Sequence, residues 1–569
     1  MTTPRMNCAT RAAAILRMKR SADDGRALDL LVIGGGVTGA GIALDAASRG
    51  LETAIVEAQD WASGTSSRSS KLVHGGLRYL EMLDFKLVHE ALTERDLLLT
   101  TLAPHLVRPV AFLHPLIRPL IDRVYFGTGI ALYDVLATLR PRPRAVPWHR
   151  HVSPRELGTV FRGIKRDAAV GAIQYWDAKV DDARFVTTLA RTAVGHGAHA
   201  ATRVRVVGLR KDAQGRVDGA TLVDLETGEQ FDVRAKTVIS ATGVWTEKTQ
   251  SLATDGGLQV LASKGIHIVV PKDRIEGGRG LILRTATSVL FVIPWSRYWI
   301  IGTTDTPWRE DLAHPVPNSR DIDYLLGEVN PALRVPLTRE DIVGSWAGLR
   351  PLLQPRIKPG TRSAKVSREH TVAAPAPGFV SIAGGKLTTY RVMAKDAVDF
   401  VLGSVARRRP SRTHSLPLVG ARRLDDAVKD AMTLTSRLGL DSSFAAHLGR
   451  RYGADVAEIA ALCEADPALA RPLEHAPAYL RAEIVFAIRA EGALHLDDLI
   501  DRRTRISFEY PDLGAAAVDE IADLATSELG WSAEERDTEV SAYLASTEAY
   551  TLATSQPDDA AAAVARTSC

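Results

Sequence analysis

Apolar residues form an almost continuous run from residue 28 to residue 33, with Asp29 as its polar member. Parallel strands that are buried on both faces have this pattern, so we expect a strand over Leu28–Ile33. A helix rich in small residues is predicted to run on to Ser48, with Gly50 at its carboxyl end. A second apolar run, Thr53–Val56, predicts the next strand of the same parallel unit.

The middle of the chain changes to a period of two, which is typical of half-buried strands. Residues 263–271, SKGIHIVVP, alternate in this way. The segments VLFVIPW and YWIIGTTD flank Ser296 and Arg297 and predict an antiparallel hairpin. We therefore expect a β-rich cap domain that is inserted into the α/β domain.

The last part of the chain is predicted to be helical and separate. A Pro-, Ser- and Arg-rich stretch follows Leu402 and is typical of a linker. Beyond it, YLRAEIVFAIRAEGALHLDDLIDRRTR has apolar residues at helical spacing. We interpret the Arg- and Ala-rich first 26 residues as a disordered arm rather than a targeting peptide. The Ala- and Asp-rich tail from Ser555 is also predicted to be disordered.

These patterns predict an α/β fold with a β-rich cap. A Rossmann-like nucleotide-binding domain would carry an inserted antiparallel-sheet substrate domain and be followed by a C-terminal all-helical domain. The expected boundaries are a disordered arm over 1–26, an oxidoreductase region over 27–402, a linker over 403–422, a helical domain over 423–554 and a disordered tail over 555–569. Within the oxidoreductase region, nucleotide-binding segments are expected at about 27–105, 180–255 and 366–402, and cap segments at about 106–179 and 256–365.

The composition of the 569 residues is that of a folded globular protein, with 46% hydrophobic and 24% charged residues. A formal net charge of +4 argues against the strong global field of a nucleic-acid-binding protein. The three cysteines, Cys8, Cys463 and Cys569, do not form a disulfide framework or a metal-ligand cluster, and they suit a reducing compartment. The best apolar run, residues 127–139, is too short to cross a bilayer and contains Asp134.

The turn after the first strand carries a glycine pattern with a physical role. Gly34, Gly36 and Gly39 fit G-x-G-x-x-G between a strand and a helix. The first glycine makes the tight turn, the second admits a pyrophosphate and the third lets helix and strand pack closely. Glu57, which follows the second strand, would hold a ribose hydroxyl pair. The sequence therefore predicts a dinucleotide site at the N-terminus of the helix.

Two later junctions between a strand and glycines extend this site. KTVISATGVWTE contains Gly243, and GFVSIAGGKLTTYR contains Gly384 and Gly385. Small residues at these points let the backbone approach a planar ligand. A chain that returns repeatedly to its first nucleotide unit fits a tightly held FAD better than an exchangeable NAD.

The segment SGTSSRSSKLVHGGLRYLE, residues 63–81, is unusually rich in donors and positive charge. It combines six serine and threonine hydroxyls and three glycines with Arg68, Lys71 and Arg78, against a single acid at its end. Guanidinium groups match the geometry of a phosphate dianion better than an ammonium does.

Together these segments resemble the FAD-dependent glycerol-3-phosphate dehydrogenases, the respiratory and quinone-reducing kind. The matching stretches follow the family's order from about Asp29 to Leu544 and are VIGGGVTGAGIALDAASRGL, TSSRSSKLVHGGLRYLE, SKGIHIVVP, FVIPW, IIGTTDT, GLRPL, GGKLTTYR and the helical EIVFAIRAEGALHLDDLIDRRTR. The resemblance implies FAD as cofactor and the oxidation of sn-glycerol 3-phosphate to dihydroxyacetone phosphate. It further implies that the electrons pass to a membrane quinone.

The resemblance also implies which residues form the site. Cofactor contacts are implied at Gly34, Gly36, Gly39, Glu57, Thr65, Ser66, Ser67, Lys71, Gly75, Gly243, Gly384, Gly385, Leu387 and Thr388. Substrate contacts are implied at Arg78, Tyr79, Arg368 and Lys386, with His267 and Arg350 as the catalytic pair. His267 is the natural base for the C2 hydroxyl proton, while Arg350 is the candidate to stabilise the developing alkoxide, and both assignments stay open.

Each of these residues has a plainer interpretation. A cation can form an ordinary surface ion pair, His267 can be a structural histidine and Tyr79 a buried aromatic. Asp305, in GTTDTP, is interpreted as a turn or Asx cap. Ile266 replaces a small residue that relatives often carry before the histidine, and its parity predicts a packing change on the opposite strand face.

Three other functions compete with the dehydrogenase. An oxygen-using glycerophosphate oxidase would share the fold and the substrate. A FAD-dependent amino-acid oxidase would need one arginine for a carboxylate rather than a cationic cluster. A non-catalytic flavin-binding protein would keep the glycine turn without Arg350, Arg368 and Lys386 together.

Residues 105–151 contain seven arginines against Asp122 and Asp134, with apolar runs between them. One interpretation is an ordinary helical part of the cap, and the other is an amphipathic surface that lies on anionic lipid. The family resemblance favours peripheral attachment to the inner face of a bacterial cytoplasmic membrane and allows a homodimer. The mitochondrial relatives usually carry an EF-hand loop near the C-terminus, and none is found here.

Overall fold

The computed structural model describes residues 3–76, 84–138, 144–285, 289–353 and 370–567. Two mixed sheets form its centre, and helices cover both the first sheet and the C-terminal part of the chain. The predicted arrangement of a Rossmann-like domain, a β-rich cap and a C-terminal helical region is confirmed.

The first sheet has a parallel centre of the nucleotide-binding type. Its path runs β17-β18-β10-β1-β2-β7, in which β18, β10, β1, β2 and β7 are parallel and β8 and β9 branch from β10. The strands are β1 (Leu28–Ile33), β2 (Thr53–Val56), β7 (His199–Ala201), β8 (Val204–Lys211), β9 (Val217–Asp224), β10 (Gln230–Ser240), β17 (His370–Ala376) and β18 (Phe379–Gly384).

The second sheet is the cap and is largely antiparallel. Its path runs β15-β11-β14-β13-β12-β4-β6-β3, with β16 on β11 and β5 on β6. The strands are β3 (Leu72–Val73), β4 (Arg108–Pro115), β5 (Arg150–Val152), β6 (Ala172–Lys179), β11 (Val260–Pro271), β12 (Gly280–Arg284), β13 (Val289–Trp295), β14 (Tyr298–Gly302), β15 (Thr306–Pro307) and β16 (Gly344–Leu353). The predicted hairpin at Ser296–Arg297 joins β13 to β14.

The helices of the first two domains surround these sheets. They are α1 (Cys8–Asp23), α2 (Val37–Ser48), α3 (Phe85–Leu97), α4 (Ile121–Thr138), α5 (Pro154–Val160), α6 (Asp182–Gly195), α7 (Thr246–Gln250), α8 (Ser319–Val329) and α9 (Tyr390–Leu402). The C-terminal region contributes α10 (Leu424–Arg437), α11 (Ser442–Tyr452), α12 (Val456–Ala465), α13 (Arg481–Glu491), α14 (Ile506–Glu509), α15 (Val518–Leu529), α16 (Ala533–Thr554) and α17 (Asp559–Thr567).

The first α/β unit follows the sequence pattern closely. Both predicted strands and the helix end at Ser48 are found where the apolar runs place them. Gly50 has φ of +79°, as expected of a residue just past a helix end. A Cβ at Gly39 would overlap the carbonyl oxygen of Gly34, so glycine is required for α2 to pack against the turn.

Residues 8–23 and 559–567 form helices, so within the described residues the expected disordered arm over 1–26 and tail over 555–569 are wrong. Helix α1 begins with a capping box at Asn7 and buries Ile15 and Met18 in the core under the first sheet. Helix α17 buries Ala562 and Ala565 against Val316 of the cap. These helices were not predicted because an alanine-rich segment has only a weak apolar pattern. Alanine buries little apolar surface per residue, so such a helix is ordered by the surface on which it packs.

The predicted linker over 403–422 is exposed at several arginines and yet attached to the first domain. Ser411 donates a hydrogen bond to Asp45 of α2, and Thr413 donates a second one to the same carboxylate. The amide of Leu418 donates to the carbonyl of Leu102.

Buried ion pairs join the C-terminal helices to the nucleotide-binding domain. Asp60, fully buried after β2, accepts from Arg502 and Arg503 at 2.6–2.7 Å. Arg184 of α6 forms a bidentate pair with Glu491 of α13 at 2.7 and 3.0 Å. The guanidinium charges hold the pKa of Asp60 below its ordinary value in spite of burial.

Candidate active site

The carboxyl ends of three neighbouring parallel strands meet at one edge of the first sheet. Gly34 follows β1, Gly243 follows β10, and Gly384 and Gly385 end β18. All four have φ between +57° and +109°, a region that side chains disfavour. In α/β proteins ligands bind in the crevice outside this edge of the sheet.

The first turn has the features of a pyrophosphate cradle. Gly36 is the N-cap of α2 and has no side chain that could cap the amides at the start of the helix. Ser66 Oγ accepts the amide of Val37 at 3.0 Å. Glu57 Oε2 accepts the amide of Gly35 at 2.6 Å, and burial raises the pKa of Glu57. Glu57 therefore holds the turn itself and stands at the end of β2, where a ribose contact was predicted.

A cavity of about 200 Å³ opens beside this edge and is called the cleft. The 65–70 loop, β11, β16 and the turn after β18 form its walls. Of the predicted site residues it is lined by Thr65, Ser66, His267, Arg350, Gly384, Gly385, Lys386, Leu387 and Thr388. The cleft thus joins the glycine-rich edge of the first sheet to the cap.

His267 lies on β11 and is almost completely buried. Its Nε2 is 2.8 Å from Ser70 Oγ, and its ring stacks on Trp346 of β16. Nδ1 is buried and has no hydrogen-bond partner among the described residues. A Cβ at Gly302 would overlap the imidazole, so glycine on β14 makes the space for it.

Burial is the main cause that holds the pKa of His267 well below its ordinary value. The positive charges of Arg350 and Lys71 act in the same direction. The imidazole is therefore neutral at neutral pH and can accept a proton. Since Nδ1 is enclosed, Nε2 is the nitrogen that can exchange a proton with the cleft, next to the Ser70 hydroxyl.

Arg350 crosses from β16 over a neighbouring strand. A Cβ at Gly265 would overlap its guanidinium, and Gly265 is opposite Gly348 in the β11–β16 register. Its Nη2 donates to Thr303 Oγ1 at 3.0 Å and to the Thr304 carbonyl at 3.1 Å. Nη1 is 3.5 Å from Asp305.

Asp305 is more than the predicted turn residue. Its carboxylate accepts a hydrogen bond from Ser263 and faces the Arg350 guanidinium. It therefore holds the direction of the arginine, as a positioning residue. The contact between Asp305 and Arg350 could not be predicted from residue spacing within β11 or within the GTTDTP turn. It arises because β15 and β16 both pair with β11.

The turn after β18 brings Lys386, Leu387 and Thr388 to the cleft. Thr388 and His74 exchange two hydrogen bonds: the His74 amide donates to Thr388 Oγ1 at 3.1 Å, and Thr388 Oγ1 donates to the His74 carbonyl at 3.2 Å. This pairing fastens the β18 turn to the end of β3.

Three predicted cofactor residues do not line the cleft. The Lys71 ammonium is buried and donates to Asp182 at 2.7 Å and to the Ser67 carbonyl at 3.1 Å, which directs it away from the cleft. Burial, with the charge of Arg505, lowers the pKa of Lys71 to about 8. Ser67 is a buried member of the 65–70 loop. Gly75 packs on Leu92 and donates its amide to Tyr133 OH at 2.9 Å.

The remaining predicted substrate residues, Arg78, Tyr79 and Arg368, lie outside the described residues. Ile266 points into the opposite core, with Ile268 and Ile301, as its parity predicted. The residues that the sequence analysis missed are Ser70 and Trp346. Trp346 was detectable, since it shares a strand face with Gly348 and Arg350 at a period of two.

The crevice, the glycine turn and the cationic cleft agree with comparisons to known proteins. The profile of the family described as FAD dependent oxidoreductase matches residues 29–391, and that of the C-terminal domain of alpha-glycerophosphate oxidase matches residues 411–536. Glycerol-3-phosphate dehydrogenase 2 of Mycobacterium tuberculosis is 49% identical over 542 residues, 95% of this chain and 91% of that protein. The mitochondrial glycerol-3-phosphate dehydrogenase of Bos taurus is 37% identical over 93% of this chain and 74% of its own length.

Solved structures give the same picture. The glycerol-3-phosphate dehydrogenase of Bacillus halodurans complexed with FAD superposes with a TM-score of 0.75 at 28% identity, and the match covers 94% of this chain and 97% of that one. The L-alpha-glycerophosphate oxidase of Mycoplasma pneumoniae shares the fold, with a TM-score of 0.52 at 18% identity over 66% of this chain and 94% of that one. The parallel-strand edge with its glycine turn accommodates the FAD that this fold binds. The chain belongs to the FAD-dependent glycerol-3-phosphate dehydrogenase family.

Proposed function

We propose that the protein oxidises sn-glycerol 3-phosphate at C2 to dihydroxyacetone phosphate and that a membrane quinone is the final electron acceptor. The observation that carries the proposal is the convergence of His267, Arg350 and Lys386 on one cleft beside Gly384 and Gly385. A neutral base and two cations beside a glycine-rich edge are what a phosphorylated secondary alcohol requires.

The cations would hold and orient the substrate. Lys386 and Arg350 both line the cleft, and a phosphate dianion pairs with either. Asp305 and Thr303 keep the Arg350 guanidinium at a fixed angle. The side chain therefore loses little conformational freedom when an anion binds. Arg78 and Arg368 are proposed as further phosphate contacts.

His267 would take the proton of the C2 hydroxyl. Its depressed pKa keeps it unprotonated, and Ser70 Oγ, 2.8 Å from Nε2, lies on the cleft side of the ring and can pass the proton. Arg350 would stabilise the negative charge that develops on the C2 oxygen. Bound FAD supplies the acceptor for the hydride that leaves C2.

The residues proposed to hold the cofactor are those at the strand ends and on the 65–70 loop. Gly36 and the amides of α2 would face the pyrophosphate, and Gly384 and Gly385 would lie against the ring system. Thr65 Oγ1 donates to the Leu349 carbonyl at 2.6 Å and so connects the loop to the strand that carries Arg350. Cofactor and substrate sites thus share one wall.

The second candidate is an oxygen-using oxidase. The match of residues 411–536 to the C-terminal domain of alpha-glycerophosphate oxidase is the observation that favours this candidate. The two reactions have the same reductive half and differ in what reoxidises the cofactor. A comparison of reoxidation rates with air and with quinone distinguishes them.

Peripheral attachment to an anionic membrane is proposed for the start of α4. Leu120, Ile121, Val124 and Tyr125 are 78%, 63%, 67% and 56% exposed, next to Arg118. Exposed apolar residues grouped beside cations are typical of a surface that lies on anionic lipid. None of the described helices has the length and apolarity to span a membrane. Placement at the inner face of a bacterial cytoplasmic membrane is part of this proposal.

The test is an anaerobic titration of the FAD-loaded protein with glycerol 3-phosphate, followed by quinone. We expect the visible absorbance of the oxidised flavin to bleach with substrate, with one dihydroxyacetone phosphate formed per flavin reduced, and to return when quinone is added. Glycerol without phosphate is the control. An intact bound flavin that glycerol 3-phosphate leaves unbleached contradicts the proposal, and fast recovery with air alone favours the oxidase.

A further inference from the structure

A second cavity, the rear pocket, lies behind the cleft at the junction of all three domains. It has a volume of about 90 Å³ and is bordered by the 65–70 loop, β16 and the helices α16 and α17. Its polar lining includes Arg68, His314, Ser345, Trp346, Ser546 and Arg566. Arg68 lines the cleft as well as the rear pocket, whereas His314, Ser345, Trp346, Ser546 and Arg566 line the rear pocket and not the cleft.

Two arginines face the rear pocket without a carboxylate partner. Neither Arg68 nor Arg566 has an acidic group within ion-pair distance in the described part of the chain. Arg68 donates only a long hydrogen bond, 3.4 Å, to the Ala313 carbonyl. Arg566 Nη2 donates to Ser546 Oγ at 2.9 Å. Guanidinium groups in an enclosed place are costly unless a negative charge compensates them.

The other charged groups around the rear pocket do not compensate the positive charge of Arg68 and Arg566. Arg502 is already neutralised by Asp60, Asp497 and Asp498. Asp501 is the carboxylate of the lining; its charge acts on Arg68 without forming an ion pair within 4.0 Å among the described residues, and burial raises the pKa of Asp501. His314 remains neutral, because burial and the charges of Arg566 and Arg68 lower its pKa.

Neutral donors of the same pocket are also available to a ligand. The indole Nε1 of Trp346 is buried and has no hydrogen-bond partner among the described residues. Ser345 and Tyr550 pair across the pocket, where the Tyr550 hydroxyl donates to the Ser345 carbonyl at 2.9 Å. Two guanidinium groups, an indole N–H and serine hydroxyls form a donor set suited to a small oxyanion.

We propose that the rear pocket is a second anion site, which binds inorganic phosphate or the phosphate group of a small phosphomonoester between Arg68 and Arg566. Two guanidinium forks match the oxygens of a phosphate dianion. The volume suits such an ion and excludes a nucleotide. A bound anion would join α17 to the 65–70 loop, so that the C-terminal helix becomes part of the support of the cleft.

The experiment must separate the rear pocket from the cleft, where phosphate is also expected to bind. The parent is the FAD-loaded full chain with Lys386→Met, a substitution that weakens anion binding in the cleft. Arg566→Gln, Arg566→Lys or Arg471→Gln is then added to this parent. Arg471 is exposed, lies in the C-terminal domain and has no ion pair among the described residues, so it is a matched control. Titration calorimetry with inorganic phosphate is compared with glycerol 2-phosphate, and chloride keeps the ionic strength constant.

We expect Lys386→Met and its Arg471→Gln derivative to bind phosphate equally. Arg566→Gln should weaken binding roughly tenfold or more, while Arg566→Lys keeps part of it. Tighter binding of glycerol 2-phosphate identifies a phosphomonoester as the ligand, and tighter binding of phosphate identifies the free ion. The proposal is overturned if Lys386→Met binds neither anion or if Arg566→Gln binds as well as its parent. A failure of the cleft to oxidise glycerol 3-phosphate leaves this measurement unaffected.

Discussion

The imidazole of His267 lies nearly parallel to the indole of Trp346, with ring centroids 5.0 Å apart and an interplanar angle of 16°. Trp346 is opposite His267 in the β11–β16 register, and the Lys71 ammonium lies 4.8 Å from the centre of its ring. The indole of Trp346 is thus close to both the imidazole and the buried ammonium. This arrangement keeps the histidine neutral and fixes its direction.

The pH dependence of the reaction should reflect this burial. His267 must be unprotonated to accept a proton, and its pKa is depressed by burial, so activity is lost only as the pH falls through a value well below 6.5. We expect the acid limb of kcat/KM to lie below pH 6.5 and His267→Gln to lower kcat by about 10²–10⁴-fold with FAD retained. A limb at or above 6.5 that His267→Gln removes would refute the assignment.

Ser70 is predicted to serve the base. Ser70→Ala removes the hydroxyl at Nε2 of His267, so we expect kcat to fall roughly tenfold while FAD content and KM change little. Stopped-flow bleaching of the flavin by substrate measures the effect. Ser404→Ala, at an exposed position after α9, is the control. Equal bleaching rates in the two variants would exclude a role for Ser70.

Gly265 is predicted to be required for the position of Arg350. In Gly265→Ala the new Cβ overlaps the guanidinium, so we expect kcat/KM to fall about 10–100-fold, mostly through KM. Steady-state kinetics and the melting temperature are measured together. Gly327→Ala is the matched control, since nothing lies within 4 Å of its Cβ position. Wild-type kinetics in Gly265→Ala would show that Arg350 does not hold the substrate.

The buried pair of Asp60 should dominate the attachment of the C-terminal domain. Asp60→Asn leaves Arg503 without its bidentate partner, and we expect a loss of about 3–5 kcal/mol of unfolding free energy. Asp519→Asn, which breaks an exposed pair of Arg536, should cost at most about 1 kcal/mol. Urea unfolding measures the free energy of unfolding of both variants, and equal losses in the two would contradict the prediction.

The same carboxylate predicts a direction for acid sensitivity. Because the pKa of Asp60 is lowered in the folded state, its contribution is fully present above the unfolded pKa, near 3.8, and is lost as the pH falls further. The stability difference between wild type and Asp60→Asn should therefore shrink on acidification below about pH 4. A difference that grows there would show the opposite sign of coupling.

The proposed membrane surface can be tested with single charges. Val124→Asp places a carboxylate in the exposed apolar group at the start of α4, and we expect binding to anionic vesicles to weaken about tenfold. Met432→Asp, at an equally exposed apolar position on α10, is the control. Sedimentation with vesicles gives the bound fraction. If the two variants sediment alike, α4 is not the contact.

Local signals were sufficient for the nucleotide-binding unit. An apolar run buried on both faces, the glycines at the turn and the alternation of β11 depend on neighbours in sequence, so strand and helix bounds were predictable there. The cluster around His267 was predictable in part, because the resemblance marked its members. The contacts of Lys71 and Gly75 were not predictable, since composition shows that a cation or a glycine is present and does not show which side of a loop it faces.

By itself, the sequence of this protein determined which segments become strands, which turn carries the glycine pattern typical of a pyrophosphate site and which residue types can bind a phosphate or accept a proton. Only the tertiary structure decided that Asp305 faces Arg350 and that Trp346 stacks on His267. It also decided that Lys71 pairs with Asp182 and that two alanine-rich segments near the chain ends fold as helices. The physical reason is range. Propensity and periodicity act within a few residues, whereas pairing of β11 with β16 and burial of charge depend on segments that are far apart in the chain.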